Sequence, residues 1–133
     1  MTIAEVSKKY DISADTLRYY ERIGLIPPVH RTAGGIRDYT EEDCGWVEFC
    51  KCMRGAGLTI EALIEYVSLA QQGESTVDAR KELLIEQRRL LQERIEEMQS
   101  TLQRLDKKID RYEHWVYCSD YRLGNTDTCE GKG

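Results

Sequence analysis

The sequence of 133 residues has neither an excess of positive charge nor a long apolar run. Its formal net charge is −5, which excludes a general polycation that coats any nucleic acid it meets. The first ten residues are too polar for the apolar part of a signal peptide, and no segment is apolar enough to span a bilayer. We therefore expect a cytoplasmic protein with no membrane partner.

The sequence also lacks the patterns of a disulfide framework and of an active site. Its five cysteines are odd in number and irregularly spaced, and cytosolic thiols stay mostly reduced. Cys50 and Cys52 are separated by one residue, whereas the redox motif has two between its cysteines. No nucleophile, base and orienting group form a recognisable set, and no phosphate-binding loop occurs. The sequence predicts a protein that is not an enzyme.

The N-terminal residues carry the signals of two short helices. Residues 3–10 follow a capping-box pattern, and residues 14–22 can begin after a capping Ser13. Gly24 favours a left-handed stop, and the Pro-Pro pair that follows prevents continuation. Two short helices joined by a tight turn predict a helix-turn-helix unit.

A hairpin and two further helices are predicted next. Residues 29–39 have short β-prone segments on either side of two glycines, with arginines near the expected tip, which is typical of a wing. Thr40 with Asp43 can open a third helix that runs through Arg54, and Thr59 can cap a fourth that runs from Ile60 to Gln72. These elements predict a winged helix-turn-helix DNA-binding domain with a helix pair over residues 1–73.

A long helix is predicted after residue 73. No glycine or proline occurs between Thr76 and Gly124, and apolar residues recur at alternating steps of four and three. These residues are Leu91, Ile95, Met98, Leu102, Leu105, Ile109, Tyr112 and Val116. Such a stripe needs a partner helix, and its copy in a second subunit is the simplest one. We predict a homodimerisation helix over residues 74–117 and a tail or loop over residues 118–133.

The second helix predicts a surface for DNA. If Leu17 and Tyr20 face the core, then Arg18, Tyr19 and Arg22 point outward together. Guanidinium groups can pair with guanine edges or phosphates, and a tyrosine hydroxyl can donate to a phosphate. Two alternatives are a solvated helix face and, from another class of protein, a coiled-coil adaptor without specific DNA binding.

Three segments resemble the MerR family of bacterial transcription regulators. They are TLRYYERIGLIPP, the wing pattern R-x-x-x-G-I-R-D-Y, and a helix ending in MRGAGLTIEAL, and the resemblance covers about residues 1–117. It implies a mainly α fold, with the long helix forming an antiparallel coiled coil in a dimer. It also implies a palindromic promoter that is bent and untwisted, so that the bound dimer blocks or assists RNA polymerase.

The resemblance also assigns residues to DNA contacts. The recognition helix, the wing and the end of the third helix supply them. These residues are Thr16, Arg18, Tyr19, Arg31, Arg37 and Arg54. The wing departs from the usual Gly-Tyr-Arg pattern because Ile36 stands where the tyrosine does.

One interpretation of the signal is a reactive thiol. Few residues follow the long helix, too few for the pocket of a drug-sized ligand, so the inducer should be small. The segment EFCKCMRGAGL resembles the thiol- and aldehyde-stress-responsive, NmlR/AdhR-like subgroup, which implies Cys52 as the sensor and no cofactor. Lys51 and Arg54 flank Cys52 and would favour its reactive form. Cys50 shares a stripe with apolar residues, and we interpret it as a core residue.

The alternative signal is a metal ion. His114 and Cys118 are four residues apart on the long helix, and Cys129 follows in the tail. Imidazole and thiolate are ligands suited to zinc or copper. Metal-sensing members of the family often add a cysteine from the start of the partner's long helix, whereas this sequence has Ser75 there.

Overall fold

In this computed structural model, which describes residues 1–117, the secondary structure is helical. The α-helices are α1 (Ile3–Tyr10), α2 (Ala14–Ile23), α3 (Glu41–Gly55), α4 (Ile60–Gln71) and α5 (Val77–Tyr117), and a short 3-10 helix, Glu74–Thr76, precedes α5. The predicted helices are confirmed: the ends of α1 to α4 agree with the predicted ones to about one residue, whereas α5 begins at Val77, three residues after the predicted start at residue 74. Residues 118–133, the predicted tail, lie outside the described residues.

The helix boundaries follow from local hydrogen bonds. Thr2 caps α1 in a capping box with Glu5, and Ser13 Oγ accepts the N–H of Thr16 to cap α2. The turn between them ends α1 at Asp11, which adopts a left-handed backbone conformation with φ of 55°. Gly24 ends α2 at φ of 87°, a region that an L side chain rarely adopts. The helix-turn-helix geometry is therefore encoded by a few neighbouring residues.

The chain divides into two compact units, and the first is Met1–Leu91. Its core lies among the first four helices and the segment after α2. The core residues are buried and mostly aliphatic: Val6, Ile12, Leu17, Leu25, Ile26, Val29, Tyr39, Cys44, Val47, Cys50, Leu58 and Leu63. Leu17 in α2 and Val47 in α3 are fully buried. This packing fixes α2 with one face inward and the other outward.

The described part of the second unit begins at Gln92 and consists of the remainder of α5. Its large apolar side chains are exposed in the single chain. They are Ile95, Met98, Leu102, Leu105, Ile109, Tyr112 and Trp115. The domain boundaries predicted at residues 73 and 117 stay predictions.

Candidate nucleic-acid interface

The outward face of α2 presents two cations and an aromatic ring. Arg18 and Tyr19 are exposed, and Arg18 Nη1 donates to Asp15 Oδ1 over 2.9 Å. The Arg22 guanidinium lies 5.3 Å from the centre of the Tyr19 ring, a cation–π contact. Leu17 is buried on the opposite side of the helix. Guanidinium donors and a tyrosine hydroxyl are thus displayed together on a helix narrow enough to enter a major groove.

Thr16 lies in the first turn of the same helix. Its hydroxyl accepts a hydrogen bond from Ser13 Oγ over 2.8 Å, and its N–H donates to the same Ser13 oxygen. The side chain is partly buried. Thr16 therefore contributes to the cap of α2 beside the residues predicted to contact DNA.

The predicted wing is a short hairpin with a single β-bridge, between Arg31 and Arg37. Thr32 N–H donates to the Ile36 carbonyl over 2.8 Å, and Gly35 closes the turn at φ of 84°. The sequence predicted β-prone segments with arginines near the tip. The two arginines face each other across the bridge on either side of the turn, and Ile36, 68% exposed, lies between them in the turn.

Side-chain carboxylates accept the N–H groups of the entering arm. Asp38 N–H still donates to the His30 carbonyl over 2.7 Å, but the His30 N–H that would complete this pair donates to Asp43, so the ladder ends there. Glu21 Oε2 accepts from Val29 N–H over 2.9 Å, and Asp43 Oδ2 accepts from His30 N–H over 3.2 Å. Neither carboxylate was identified from the sequence as part of the wing. Asp43 belongs to the predicted third-helix cap, and its contact with His30 joins residues thirteen positions apart. No local pattern in the sequence signals a contact over that separation.

The two wing arginines have different environments. Arg31 is exposed, and its Nη1 donates to the Gly35 carbonyl over 2.9 Å. Arg37 Nε lies 2.8 Å from Glu21 Oε1 in an ion pair whose side chains are only 24% and 12% exposed. Burial would raise the pKa of Glu21, but hydrogen bonds from Arg37 and Val29 outweigh it and lower that pKa below its usual value. Arg37 thus joins the wing to α2.

Arg54, the predicted phosphate contact of α3, lies near the end of that helix. It is exposed, and its Nη1 donates to the Leu58 carbonyl over 2.7 Å. The bond links the end of α3 to the turn before α4, so the fold holds this cation in place.

The three cysteines of the described residues have two environments. Cys52 is exposed on α3, whereas Cys44 and Cys50 are buried. Cys50 is 1% exposed, which confirms its interpretation as a core residue, and this burial raises the pKa of its thiol to about 11. Beside Cys52, the Lys51 ammonium donates to the Tyr10 carbonyl, so the fold fixes where this positive charge lies.

The alternative metal ligands fall mostly outside the described residues. His114 lies near the end of α5 and is partly buried, while Cys118 and Cys129 lie outside residues 1–117. Within residues 1–117, no three His, Cys, Asp or Glu side chains are grouped so that they could hold a metal ion. The predicted zinc or copper site stays a prediction.

A capped helix-turn-helix followed by a short hairpin, with exposed arginines on both, defines the class of winged helix-turn-helix DNA-binding proteins. Residues 1–69 match the MerR HTH family regulatory proteins, and residues 46–108 match the family described as MerR, DNA binding. The chain belongs to the MerR family of transcriptional regulators. Its relatives are regulators and not enzymes.

One relative is the HTH-type transcriptional regulator AdhR of Bacillus subtilis. The two are 60% identical over 91 residues, which make up 68% of this chain but 65% of AdhR, slightly less than two thirds of that protein. This identity supports membership of the AdhR/NmlR-like subgroup.

Two solved structures resemble the whole fold. A MerR family transcriptional regulator from Listeria monocytogenes has a TM-score of 0.87 and 49% identity, with 96% of this chain and 97% of that one covered. HiNmlR, a MerR family regulator lacking the sensor domain and bound to promoter DNA, has a TM-score of 0.79 and 28% identity over the same shares of the two chains. Among the described residues, none of the helices has the length and apolar character needed to cross a membrane.

Proposed function

We propose that this regulator binds a palindromic promoter as a homodimer and alters its bend and twist for RNA polymerase in response to a thiol-reactive signal at Cys52. The observation that supports DNA reading is the outward face of α2, where Arg18, Tyr19 and Arg22 are displayed together. A likeness to HiNmlR, which is bound to promoter DNA, supports the same conclusion.

A dimer would supply a second recognition helix for the other half of a palindromic site. One recognition helix spans only part of a site, and a twofold dimer places two helices about one DNA turn apart. The exposed apolar stripe of α5 supports an antiparallel coiled coil, since such a stripe on a single helix needs a partner. A change in the angle between the two recognition helices would then change the twist of the promoter DNA that both of them bind.

The signal site is proposed at Cys52 because it is the exposed thiol of α3. Cys44 and Cys50 are buried, and burial holds the Cys50 thiol in its protonated form. An aldehyde would react with the Cys52 thiolate by forming a sulfur–carbon bond while the carbonyl oxygen takes up a proton. The added group lies on the helix that also carries Asp43, a contact to the wing. AdhR and NmlR relatives support a stress signal of this kind.

DNA binding is tested with Arg18→Ala and an operator duplex selected from a random-sequence library by the wild-type protein. Losing a good base contact should weaken binding by about 1 to 3 kcal/mol. Lys107→Ala removes the same charge from α5 and is the control, which should bind like the wild type. If Arg18→Ala binds within about twofold of the control, the proposed recognition surface is wrong.

The signal is tested by in vitro transcription with formaldehyde and, in parallel, with zinc or copper. Cys52→Ala should keep operator affinity but lose the response to formaldehyde, because no DNA contact is removed. Cys118→Ala combined with Cys129→Ala should keep that response. The opposite result, with induction lost in the tail variant and kept in Cys52→Ala, would favour the metal ion at His114, Cys118 and Cys129.

A further inference from the structure

The Glu21 carboxylate lies between the recognition helix and both arms of the wing. Its Oε2 accepts from the N–H of Val29, just before the hairpin, over 2.9 Å. Its Oε1 accepts from Arg37 Nε, on the returning arm, over 2.8 Å. One side chain of α2 therefore holds the entering and the returning chain at the same time, by two hydrogen bonds to different oxygen atoms.

Burial strengthens the contacts of Glu21 and restricts their geometry. The Glu21 side chain is 12% exposed and that of Arg37 is 24% exposed, so removing one partner leaves a largely desolvated charge without its counter-ion. A charge-assisted hydrogen bond in such a place is stronger and more directional than one at an exposed position. Arg18 and Asp15, the ion pair on the other face of α2, are much more exposed. The contacts of Glu21 are therefore better suited than the Arg18–Asp15 pair to fixing the position of the wing relative to α2.

Asp43, on α3, also contacts the wing. We call the contacts of Glu21 and Asp43 with the wing the joint. Its side chain is 4% exposed, and its Oδ2 accepts N–H groups of both Thr40 and His30. Successive residues of the entering arm, Val29 and His30, are thus held by carboxylates from two different helices.

The wing is a hairpin with one bridge, so its own ladder does little to set its direction. The two carboxylates hold the entering arm, while Glu21 holds the returning arm through Arg37. Farther from the turn, the returning arm is also held by Met1, whose carbonyl accepts the N–H of Tyr39 over 2.7 Å.

The geometry points to Glu21 as a positioning residue that sets the wing at a fixed distance from the recognition helix, so that Arg31 reaches the DNA backbone while Arg18 is in the groove. Glu21 does not itself need to contact DNA, and a carboxylate at the interface would repel phosphates. The paired Arg37 serves the joint, and exposed Arg31 is the wing cation left to bind phosphate. This inference rests on the DNA binding proposed above.

The variant Glu21→Gln tests the joint with little change in volume. Its amide oxygen can still accept from Val29 N–H, but the charge that holds Arg37 is gone. Glu65→Gln, at an exposed position of α4, is the matched control because loss of a negative charge by itself favours DNA binding. Operator affinity is measured for each variant alone and for Glu21→Gln combined with Arg31→Ala or with Arg18→Ala, on the selected duplex. Thermal unfolding confirms that each protein is folded at the binding temperature.

If Glu21 acts through the wing, Glu21→Gln should bind the operator about tenfold more weakly than Glu65→Gln. When Glu21→Gln is added to the Arg31→Ala protein, affinity should fall by less than about twofold relative to Arg31→Ala alone. In the Arg18→Ala protein the same change should again cost about tenfold, because the two contacts are independent. The slope of affinity against salt should fall by about one phosphate contact, as it does for Arg31→Ala. General destabilisation would not produce this pattern.

Two results with the variants would overturn the inference while leaving DNA binding intact. One is binding by Glu21→Gln within about twofold of Glu65→Gln, and the other is an equal loss in the Arg31→Ala and Arg18→Ala proteins. If the wild-type protein selects no duplex from the library, DNA binding itself fails and the inference fails with it. That outcome is distinguishable because it appears before any variant is made.

Discussion

In residues 1–91 the apolar side chains of several helices cover one another, whereas in residues 92–117 they lie along one helix and are exposed. Val6, Leu17 and Val47 of the first region have no exposed surface, while Met98 and Leu102 of the second are 67% and 57% exposed. Both regions are helical, and both carry regularly spaced apolar residues. What differs is that the chain itself covers the first set of apolar residues and leaves the second set exposed.

The comparison separates two sources of stability. The first region obtains the free energy of burial when one chain folds, so its stability should not depend on protein concentration. The exposed stripe of the second region can gain free energy of burial only by associating with another surface. Its contribution to stability should therefore depend on protein concentration. In the proposed dimer this division would be useful, because the DNA-binding surface would stay folded while the contact between the two copies changed.

The largest expected effect is on association. Replacing Leu102 and Leu105 together by aspartate puts charges into the proposed seam, where desolvation should weaken the dimer by several kcal/mol. Sedimentation should show a monomer at concentrations where the wild type is dimeric. Ser100→Asp with Gln103→Asp adds the same charge at positions off the seam and should remain a dimer. A stable dimer of the seam variant would contradict the coiled coil.

A single leucine-to-alanine change in each region sharpens the comparison. Leu17→Ala creates a cavity in the covered core and should lower the free energy of unfolding by about 2 to 5 kcal/mol at any protein concentration. Leu105→Ala should instead give a loss that changes with protein concentration, since its cost falls on the dimer. Chemical denaturation at two concentrations measures both. The distinction fails if both variants show the same concentration dependence.

The sequence was sufficient for features that depend on close neighbours. The capping box of Thr2 and Glu5, the Ser13 cap and the left-handed Gly24 all involve residues a few positions apart, and the structure confirms each one. Burial of Cys50 followed from its spacing with apolar residues of α3. These are short-range consequences of helix geometry, which one sequence displays directly.

The joint between wing and helix could not be predicted in the same way. Glu21 and Arg37 are sixteen positions apart; the sequence assigned Arg37 to a DNA contact and gave Glu21 no role. Their pairing depends on where the hairpin packs, which no local pattern specifies. The same reason explains the hairpin itself, where the ladder ends at His30 because its N–H donates to the distant carboxylate of Asp43.

The smallest expected effect is a pH dependence within the first region. His30 Nδ1 lies 2.9 Å from Asp43 Oδ2, and this hydrogen bond, with the nearby charges of Asp43, Glu42 and Asp38, raises the pKa of His30 above its usual 6.5. A raised pKa means that the protonated form is stabilised by folding. The contribution of the His30–Asp43 ion pair to the free energy of unfolding is therefore fully present below about pH 6.5. It is lost as the pH rises through the higher pKa that His30 has in the folded protein.

His30→Gln tests this because glutamine can donate to Asp43 but does not titrate. The wild type should melt at a higher temperature than His30→Gln in acid, and the difference should shrink as the pH rises from about 5.5 to about 8.5. The effect should be small, since the His30 side chain is 59% exposed and solvent screens the ion pair. Burial would raise the pKa of Asp43, but hydrogen bonds from Thr40 and His30 outweigh it and lower that pKa. The Asp43 carboxylate of the wild type therefore stays ionised over this pH range, and its own titration does not contribute to the trend. A difference that is constant, or that grows with pH, would show that His30 is not held as a cation by Asp43.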